Sequence, residues 1–125
     1  MTAIVIVAHI GVGESLRKQA EVILGHTLDL RLISVAEKAD PEESLNEIIQ
    51  TLNALTDPLG TLILTDLPGA TPHNLPLKAV AGRDLPIVSG LNLPMLLKTA
   101  SHDDKPAAEL AKMADLGGHQ GIVQQ

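Results

Sequence analysis

Short runs of β-branched and aliphatic residues alternate along the chain with longer stretches in which apolar residues recur at helical spacing. Residues 4–7 are continuously apolar, as is typical of a strand buried on both faces of a parallel sheet. Further strands are predicted over residues 30–35, 61–65 and 86–89, with helices between them. This alternation predicts a three-layer α/β fold, in which helices cover both faces of an open, mostly parallel, doubly wound sheet.

The ends of the predicted helices are marked by residues with known capping preferences. Gly25 follows an apolar periodicity that starts after Gly13, so Gly25 is predicted to cap the C-terminus of the first helix. Asp40 is predicted to cap the N-terminus of the second helix, with Pro41 at its first position and Glu43 completing a box-like arrangement. The first two helices therefore lie on either side of the second strand in sequence.

The second half of the chain predicts shorter elements. A third helix is predicted over residues 72–81, closed by Gly82, although Pro76 should kink it or confine it to a short piece. Two further helices are predicted over residues 93–100 and 106–116, and a last strand over residues 119–123. The 125 residues contain no internal repeat and no low-complexity linker, so a single domain over residues 1–125 is predicted.

The composition removes several classes of function. The chain contains no Phe, Tyr, Trp or Cys, so it offers no ring for stacking on a base or a flavin and no thiolate for catalysis or metal binding. Its 9 basic and 15 acidic residues give a net charge of −6, which repels phosphate backbones. The composition therefore argues against nucleic acid as a partner.

The apolar start of the chain does not predict a targeting or membrane segment. No basic region precedes the run at residues 3–8, and His9 follows it at once, which is unlike a signal peptide. No stretch reaches the roughly 20 apolar residues that a spanning helix needs. We therefore predict a soluble cytoplasmic domain that does not insert into the membrane.

Three loops that follow predicted strands carry the chemically distinctive residues. In open α/β sheets, ligands bind outside the carboxyl ends of the strands. His9 ends the first strand and Asp66 follows the third, so adjacent strands would place both in one crevice. A carboxylate there can accept the Nδ1 hydrogen of the imidazole and leave Nε2 free as a nucleophile or base. The turn at residues 69–71 leads into a helix N-terminus, which favours an anion such as phosphate.

Each of these residues also has a simpler interpretation. A lone histidine after a strand is usually a solvated loop residue, and Asp66 could cap the turn that follows it. Thr71 is an ordinary N-cap residue, a role that would coexist with phosphate binding. Asn92 could serve only as a cap or a left-handed turn residue. The remaining histidines outside these loops are interpreted as surface residues: His26, His102 and His119.

Three stretches together resemble one known family. They are IVIVAHIGVGESL from residue 4, LILTDLPGATPHN at residues 62–74 and IVSGLNLPMLLKT at residues 87–99. In order and spacing they resemble the enzyme IIA domain of the mannose class of the bacterial phosphoenolpyruvate–sugar phosphotransferase system. The resemblance runs from residue 3 to about residue 100.

The resemblance implies a role for each matching residue. His9 would accept the phosphoryl group, Asp66 would hydrogen-bond and orient His9, and Thr71 would stabilise the phosphoryl group in place of the family's serine. The residues expected to bind the phosphoryl group on this basis are Gly69, Ala70, Asn74 and Asn92. His73 is added to them because it opens the helix beside the anion site; its simpler interpretation is an exposed histidine at a helix start. No metal or organic cofactor is implied. The implied fold is flavodoxin-like, with an antiparallel C-terminal edge strand that homodimers of the family can exchange.

The chain departs from the family pattern at a few positions near His9. Ile10 stands where the family usually has glycine, and its β-branched side chain narrows the backbone choices beside the nucleophile. Ala70 replaces the second glycine of the family's turn but keeps its small size. His73 stands where the family tends to place an aromatic residue.

The function implied by the resemblance is that of a phosphotransferase. An HPr-type phosphocarrier would donate the phosphoryl group to His9, which would pass it to a IIB partner in sugar uptake. The alternative is a stand-alone regulatory protein of the same system, in which the phosphorylation state of His9 controls a non-transport partner. A flavodoxin-like nucleotide or flavin binder is disfavoured, because the chain has neither aromatic residues nor GxGxxG or P-loop spacing.

Overall fold

Four parallel strands in the order β2-β1-β3-β4 form one sheet in the computed structural model, which describes residues 1–125. The strands are β1 (Ala3–His9), β2 (Arg31–Val35), β3 (Thr61–Thr65) and β4 (Ile87–Ser89). The helices are α1 (Val12–Leu24), α2 (Pro41–Ala54), α3 (Thr71–Ala79), α4 (Leu93–Ala100) and α5 (Ala107–Gln120). The prediction of an α/β fold with a parallel sheet is therefore confirmed.

Two hydrophobic layers lie on opposite faces of the sheet. Ile6 of β1 packs with residues of α1, α4 and α5 in a cluster of 13 buried residues. Val7, its neighbour in the strand, points to the other face and packs with residues of α2 and α3 in a cluster of 8. Because β1 and β3 are buried on both faces, they read as continuous apolar runs in the sequence.

The core contains only aliphatic side chains, so its stability depends on how closely they pack. Leu110 of α5 is fully buried, and we expect Leu110→Ala to lower the free energy of unfolding by about 2–5 kcal/mol, because it leaves a cavity. Leu116 on the same helix is 53% exposed, and Leu116→Ala should change stability by less than about 0.5 kcal/mol. Urea unfolding followed by circular dichroism measures both. Equal effects of the two substitutions would contradict this packing.

The predicted helix ends are partly confirmed. Gly25 caps α1 in the left-handed region at φ 80°, and the Asp40 side chain accepts a hydrogen bond from the Glu42 amide at the start of α2. The box-like arrangement occurs elsewhere, since Glu14 accepts a hydrogen bond from the Gly11 amide at the start of α1. The two partners are three residues apart, as in the predicted box. Because glycine has no side chain, only the hydrogen bond to Glu14 forms.

Helix α3 is shorter than predicted. It ends at Ala79 with Val80 as its C-cap, so Gly82 lies in the turn beyond it rather than closing it. Pro76 lies inside the helix and removes one amide donor, which agrees with a short piece. The prediction that Thr71 is the N-cap is wrong, because Ala70 occupies the cap and Thr71 is the first helical residue.

The predicted last strand at residues 119–123 is also wrong. Helix α5 continues through His119 to Gln120, and the sheet has no antiparallel strand. Gly117 and Gly118 suggest a turn in the sequence, but they are buried where α5 crosses α4. A Cβ added at Gly117 would lie 2.8 Å from the Cβ of Lys98, so the small residue permits the close crossing. Tertiary packing therefore overrides the low helix propensity of glycine.

Residues 119–123 thus do not provide the edge strand that the resemblance implied for exchange between subunits. None of the five helices has the length and apolar character needed to cross a bilayer.

Candidate active site

The two centre strands of the sheet bring the candidate residues together. His9 is the last residue of β1 and Asp66 directly follows β3, and the two strands are hydrogen-bonded neighbours. From β1 the chain passes to α1 on one face, and from β3 it passes to α3 on the other. The crevice at such a switch point is where open α/β sheets bind ligands.

One oxygen of Asp66 holds His9 in two places. Asp66 Oδ2 accepts a hydrogen bond from the His9 backbone amide at 2.9 Å and lies 2.7 Å from Nδ1 of the ring. Because the carboxylate only accepts, Nδ1 carries the hydrogen and Nε2 keeps its lone pair. The Asp66 side chain is 9% exposed and the His9 side chain 46% exposed. The carboxylate is therefore buried, and the nitrogen that keeps its lone pair belongs to a half-exposed ring.

The ionisation of Asp66 is decided by this contact. Burial by itself would raise the pKa of the carboxyl group, but hydrogen bonds from the His9 amide and ring, with the electrostatic attraction of His9, lower the pKa below its ordinary value. The second oxygen, Oδ1, is buried and has no hydrogen-bond partner. Asp66 does not cap the turn after it, so the simpler interpretation of this residue is wrong.

The turn between Asp66 and α3 leaves backbone amides free. The amides of His73 and Asn74 both donate to the Ala70 carbonyl, whereas those of Gly69 and Thr71 donate to no group in the protein. Gly69 takes a φ of 80°, in the left-handed region, and the Asn74 side chain donates to its carbonyl at 3.1 Å. The turn therefore presents two unused donors at a helix N-terminus, an arrangement that suits an anion.

A cavity of about 570 Å³ opens beside His9. Thr71 lines it, so the structure brings the predicted phosphoryl acceptor and the predicted hydroxyl group to one space. The other lining residues come from the loop after β1, from the end of β2 and its connection to α2, from the start of α2 and from α3: Ile10, Val35, Ala36, Glu37, Ala39, Pro41, Ser44, Pro72 and Leu75. The cavity exceeds what a phosphoryl group needs, so part of a larger molecule can enter it.

The other helix N-terminus near His9 is already occupied by an acidic side chain. Glu14 accepts hydrogen bonds from the Gly11 amide and from the Ser34 hydroxyl. The Ser34 hydrogen bond is the main cause of the lowered pKa of Glu14. A fixed carboxylate at the start of α1 makes α3 the better N-terminus for an anion. Sequence reasoning missed Glu14, although its spacing of three residues from Gly11 was the available signal.

Two residues predicted to bind the phosphoryl group make other contacts. Asn92 caps α4 by accepting from the Met95 amide at 2.9 Å, and its Nδ2 donates to the Gly118 carbonyl of α5. His73 does not line the cavity, because its Nδ1 lies 3.2 Å from the Thr65 hydroxyl, toward β3. The cap interpretation of Asn92 is confirmed by these contacts.

The fold and the site define the class: a flavodoxin-like α/β domain with a carboxylate-oriented histidine at the switch point of its sheet. A sequence model of the family described as "PTS system fructose IIA component" matches residues 3–115. The chain therefore belongs to the IIA component family of the phosphotransferase system (PTS), of the mannose type.

Relatives with known names agree with this assignment. The chain is 31% identical over 123 residues to the "PTS system mannose-specific EIIAB component" of Escherichia coli K12, which covers 96% of this chain and 38% of that protein. It therefore spans well under half the length of this curated relative. A solved "Mannose/sorbose specific IIA subunit of phosphotransferase system from Enterococcus faecalis" is 25% identical with a TM-score of 0.88, covering 99% of this chain and 94% of that one.

A second solved structure has the same fold over its whole length. The phosphotransferase system component EIIA of Streptococcus agalactiae is 27% identical with a TM-score of 0.82, and the match covers 99% of this chain and 97% of that one. The resemblance identified in the sequence is therefore confirmed, over more of the chain than the first 100 residues.

Proposed function

We propose that this chain is a phosphoryl carrier in which His9 Nε2 accepts a phosphoryl group from the phosphohistidine of an HPr-type carrier protein. His9 then passes the group to a histidine or similar nucleophile on a IIB partner in sugar uptake. The observation that carries the proposal is the His9–Asp66 pair, since it fixes the tautomer in which Nε2 is the nucleophile. Membership of the IIA family supports phosphotransferase chemistry at this pair.

The transfer step requires positioning and electrostatic stabilisation more than covalent assistance. Nε2 of His9 attacks the phosphorus in line as the bond from phosphorus to the donor ring nitrogen breaks, and the donor imidazole keeps that electron pair. His9 then carries the phosphoryl group on Nε2 and the hydrogen on Nδ1, so its ring is cationic. The ionised carboxylate of Asp66 lies 2.7 Å from Nδ1 and stabilises this cation.

The turn before α3 is the proposed site for the phosphoryl oxygens. The free amides of Gly69 and Thr71 and the Thr71 hydroxyl would donate to them, and the small Ala70 keeps the approach open. Asn74 would act on the site through the Gly69 carbonyl, to which it donates. Contact of the phosphoryl group with His73, predicted from its position at the start of α3, and with Asn92, predicted from the resemblance, stays a prediction.

The surface around His9 suits a transient protein partner. Ile10 and Leu67 are 67% and 55% exposed, although both are large and apolar. Glu37 adds a negative charge to the cavity beside them, in a chain whose net charge is −6. A partner with basic and apolar residues around its own histidine would complement this surface, and a modest interface is enough for such an encounter.

Labelling tests the proposal directly. Incubation with phosphoenolpyruvate, enzyme I and the HPr-type carrier should place on His9 a phosphate that is labile in acid and stable in base. A known IIA protein, labelled in parallel, serves as the positive control. If the control is labelled and this chain is not, the proposed function is wrong.

The contribution of the Thr71 hydroxyl can be measured separately. We expect Thr71→Val to slow phosphorylation of His9 by about 10- to 10²-fold, because a hydrogen bond to a charged group contributes about 1.5–3 kcal/mol. Thr71→Ser keeps the hydroxyl and should remain within about threefold of the wild-type rate, given the same scale. The rates come from quenched time courses of labelling. A slow serine variant would assign the effect to the methyl group instead.

A further inference from the structure

A polar bridge crosses the sheet face that α2 and α3 cover, outside the cavity beside His9. Thr65, the last residue of β3, is fully buried, and its hydroxyl lies 2.8 Å from the Ser89 hydroxyl at the end of β4. The same hydroxyl lies 3.2 Å from Nδ1 of His73 in the first turn of α3. The bridge therefore ties α3 to the carboxyl ends of both strands.

The bridge satisfies a hydroxyl that would otherwise be costly to bury. Thr65 has one hydrogen to donate, and when it donates to Ser89 its oxygen accepts from the Nδ1–H of His73. A phenylalanine at position 73 would fill similar space but could not donate. His73 thus provides at this position a contact that the aromatic residue expected there would lack.

Helix α3 has few other polar contacts that hold its N-terminus in place. It is nine residues long, its cap residue Ala70 makes no side-chain hydrogen bond, and Pro76 interrupts its amide donors. Besides the buried Pro72, two polar side chains hold its first turn: Asn74 donates to the Gly69 carbonyl, and His73 reaches inward to Thr65. The Asn74 hydrogen bond connects α3 only to the turn directly before it. The polar contact between α3 and the sheet is therefore the one made by His73.

This contact lies close to the reacting groups. Thr65 precedes Asp66, and in the sheet it is the partner of Val7, two residues before His9. Side chains of alternate residues share a face, so His9, Val7 and Thr65 all point toward the side covered by α3. The turn at residues 67–71 is thus held relative to His9 at both ends, by the contact of Asp66 with His9 and by the contact of His73 with Thr65.

We propose that His73 is a positioning residue for phosphoryl transfer, which through its hydrogen bond to Thr65 holds the free amides of Gly69 and Thr71 at the phosphoryl group on His9. This role rests on the proposed function. It differs from direct contact with the phosphoryl group, since the ring acts through the position of the turn.

The test compares two replacements of His73. His73→Phe removes the donor, whereas His73→Asn keeps an N–H near the position of Nδ1. With phosphorylated HPr-type carrier as donor, we expect His73→Phe to lower the rate at saturating donor about tenfold, because misplaced groups slow such transfers by up to about 10²-fold. The half-saturating donor concentration should not change. His73→Asn should restore most of the rate, and His26→Phe, at an exposed histidine, should match the wild type.

Thr65→Val provides the second arm of the test. It removes the bridging hydroxyl at nearly constant volume, so adding His73→Phe to it should slow the reaction little further. Amide signals of Gly69 and Thr71 in ¹⁵N spectra should shift in His73→Phe and return in His73→Asn. A His73→Phe rate equal to wild type, an asparagine variant as slow as the phenylalanine one, or additive effects with Thr65→Val would each overturn the role of His73. Absence of labelling in the wild type would instead overturn the proposed function, and the role with it.

Discussion

A His9→Gln variant is expected to take up no phosphoryl group from a phosphorylated HPr-type carrier while keeping its fold. Glutamine retains a polar side chain but has no nucleophilic lone pair on nitrogen, so no bond to phosphorus can form. His9 is also the histidine whose Nδ1 is held by a buried carboxylate. Labelling with radioactive phosphoenolpyruvate measures the uptake, and circular dichroism checks the fold.

His119 provides a matched control for this variant. Its Nδ1 lies 3.0 Å from a carboxylate oxygen of Asp115, but its side chain is 80% exposed on α5. Hydrogen bonds to Asp115, first to its carbonyl, raise the pKa of His119, which favours the imidazolium and weakens the nucleophile. We expect His119→Gln to be labelled like the wild type. Label that persists in His9→Gln, or disappears in His119→Gln, would show that the wrong histidine was chosen.

An Asp66→Asn variant is expected to accept the phosphoryl group about 10²-fold more slowly. The amide occupies the same space but carries no negative charge, so it does not stabilise the cationic ring that forms when Nε2 is phosphorylated. Its NH₂ group can also turn toward Nδ1 and select the other tautomer, in which Nε2 carries the hydrogen. Single-turnover time courses give the rate, and ¹⁵N spectra of the His9 ring report the tautomer.

Asp29→Asn is the control for loss of a carboxylate that is not at the site. Asp29 is almost fully exposed and pairs with Arg31 on the surface, so its replacement should leave the rate unchanged. An Asp66→Asn variant as fast as the wild type would contradict the orienting role.

The acid dependence of the pair follows from the direction of the pKa shift. Folding lowers the pKa of Asp66 from its ordinary value of 3.8. The contact therefore stabilises the folded protein fully at pH values above 3.8, and this stabilisation is lost as the pH falls from there through the lowered pKa. Around neutral pH the carboxylate therefore stays ionised beside His9.

Local pattern was enough to locate most of the sheet and the two main candidate residues of the site. The apolar runs before His9 and Asp66 predicted β1 and β3, and position after a strand predicted that both side chains reach the carboxyl edge of the sheet. The family resemblance added the roles predicted for them. The strands could be located because a strand buried on both faces has a sequence pattern that few other structures share.

Contacts between distant residues decided what the sequence did not predict. Gly117 and Gly118 became helical because α5 packs against α4, which no local signal indicates. Ala70 rather than Thr71 became the cap of α3, and the ring of His73 turned toward Thr65.

By itself, then, the sequence determined the fold class, the order of the four strands and five helices up to α5, and the candidate residues for the chemistry. The tertiary structure decided which donors of the turn remain free and which side chains fix it in place. The physical reason is that hydrogen bonding and close packing depend on contacts between groups that are distant in sequence. The spacing of residues along one segment does not specify those contacts.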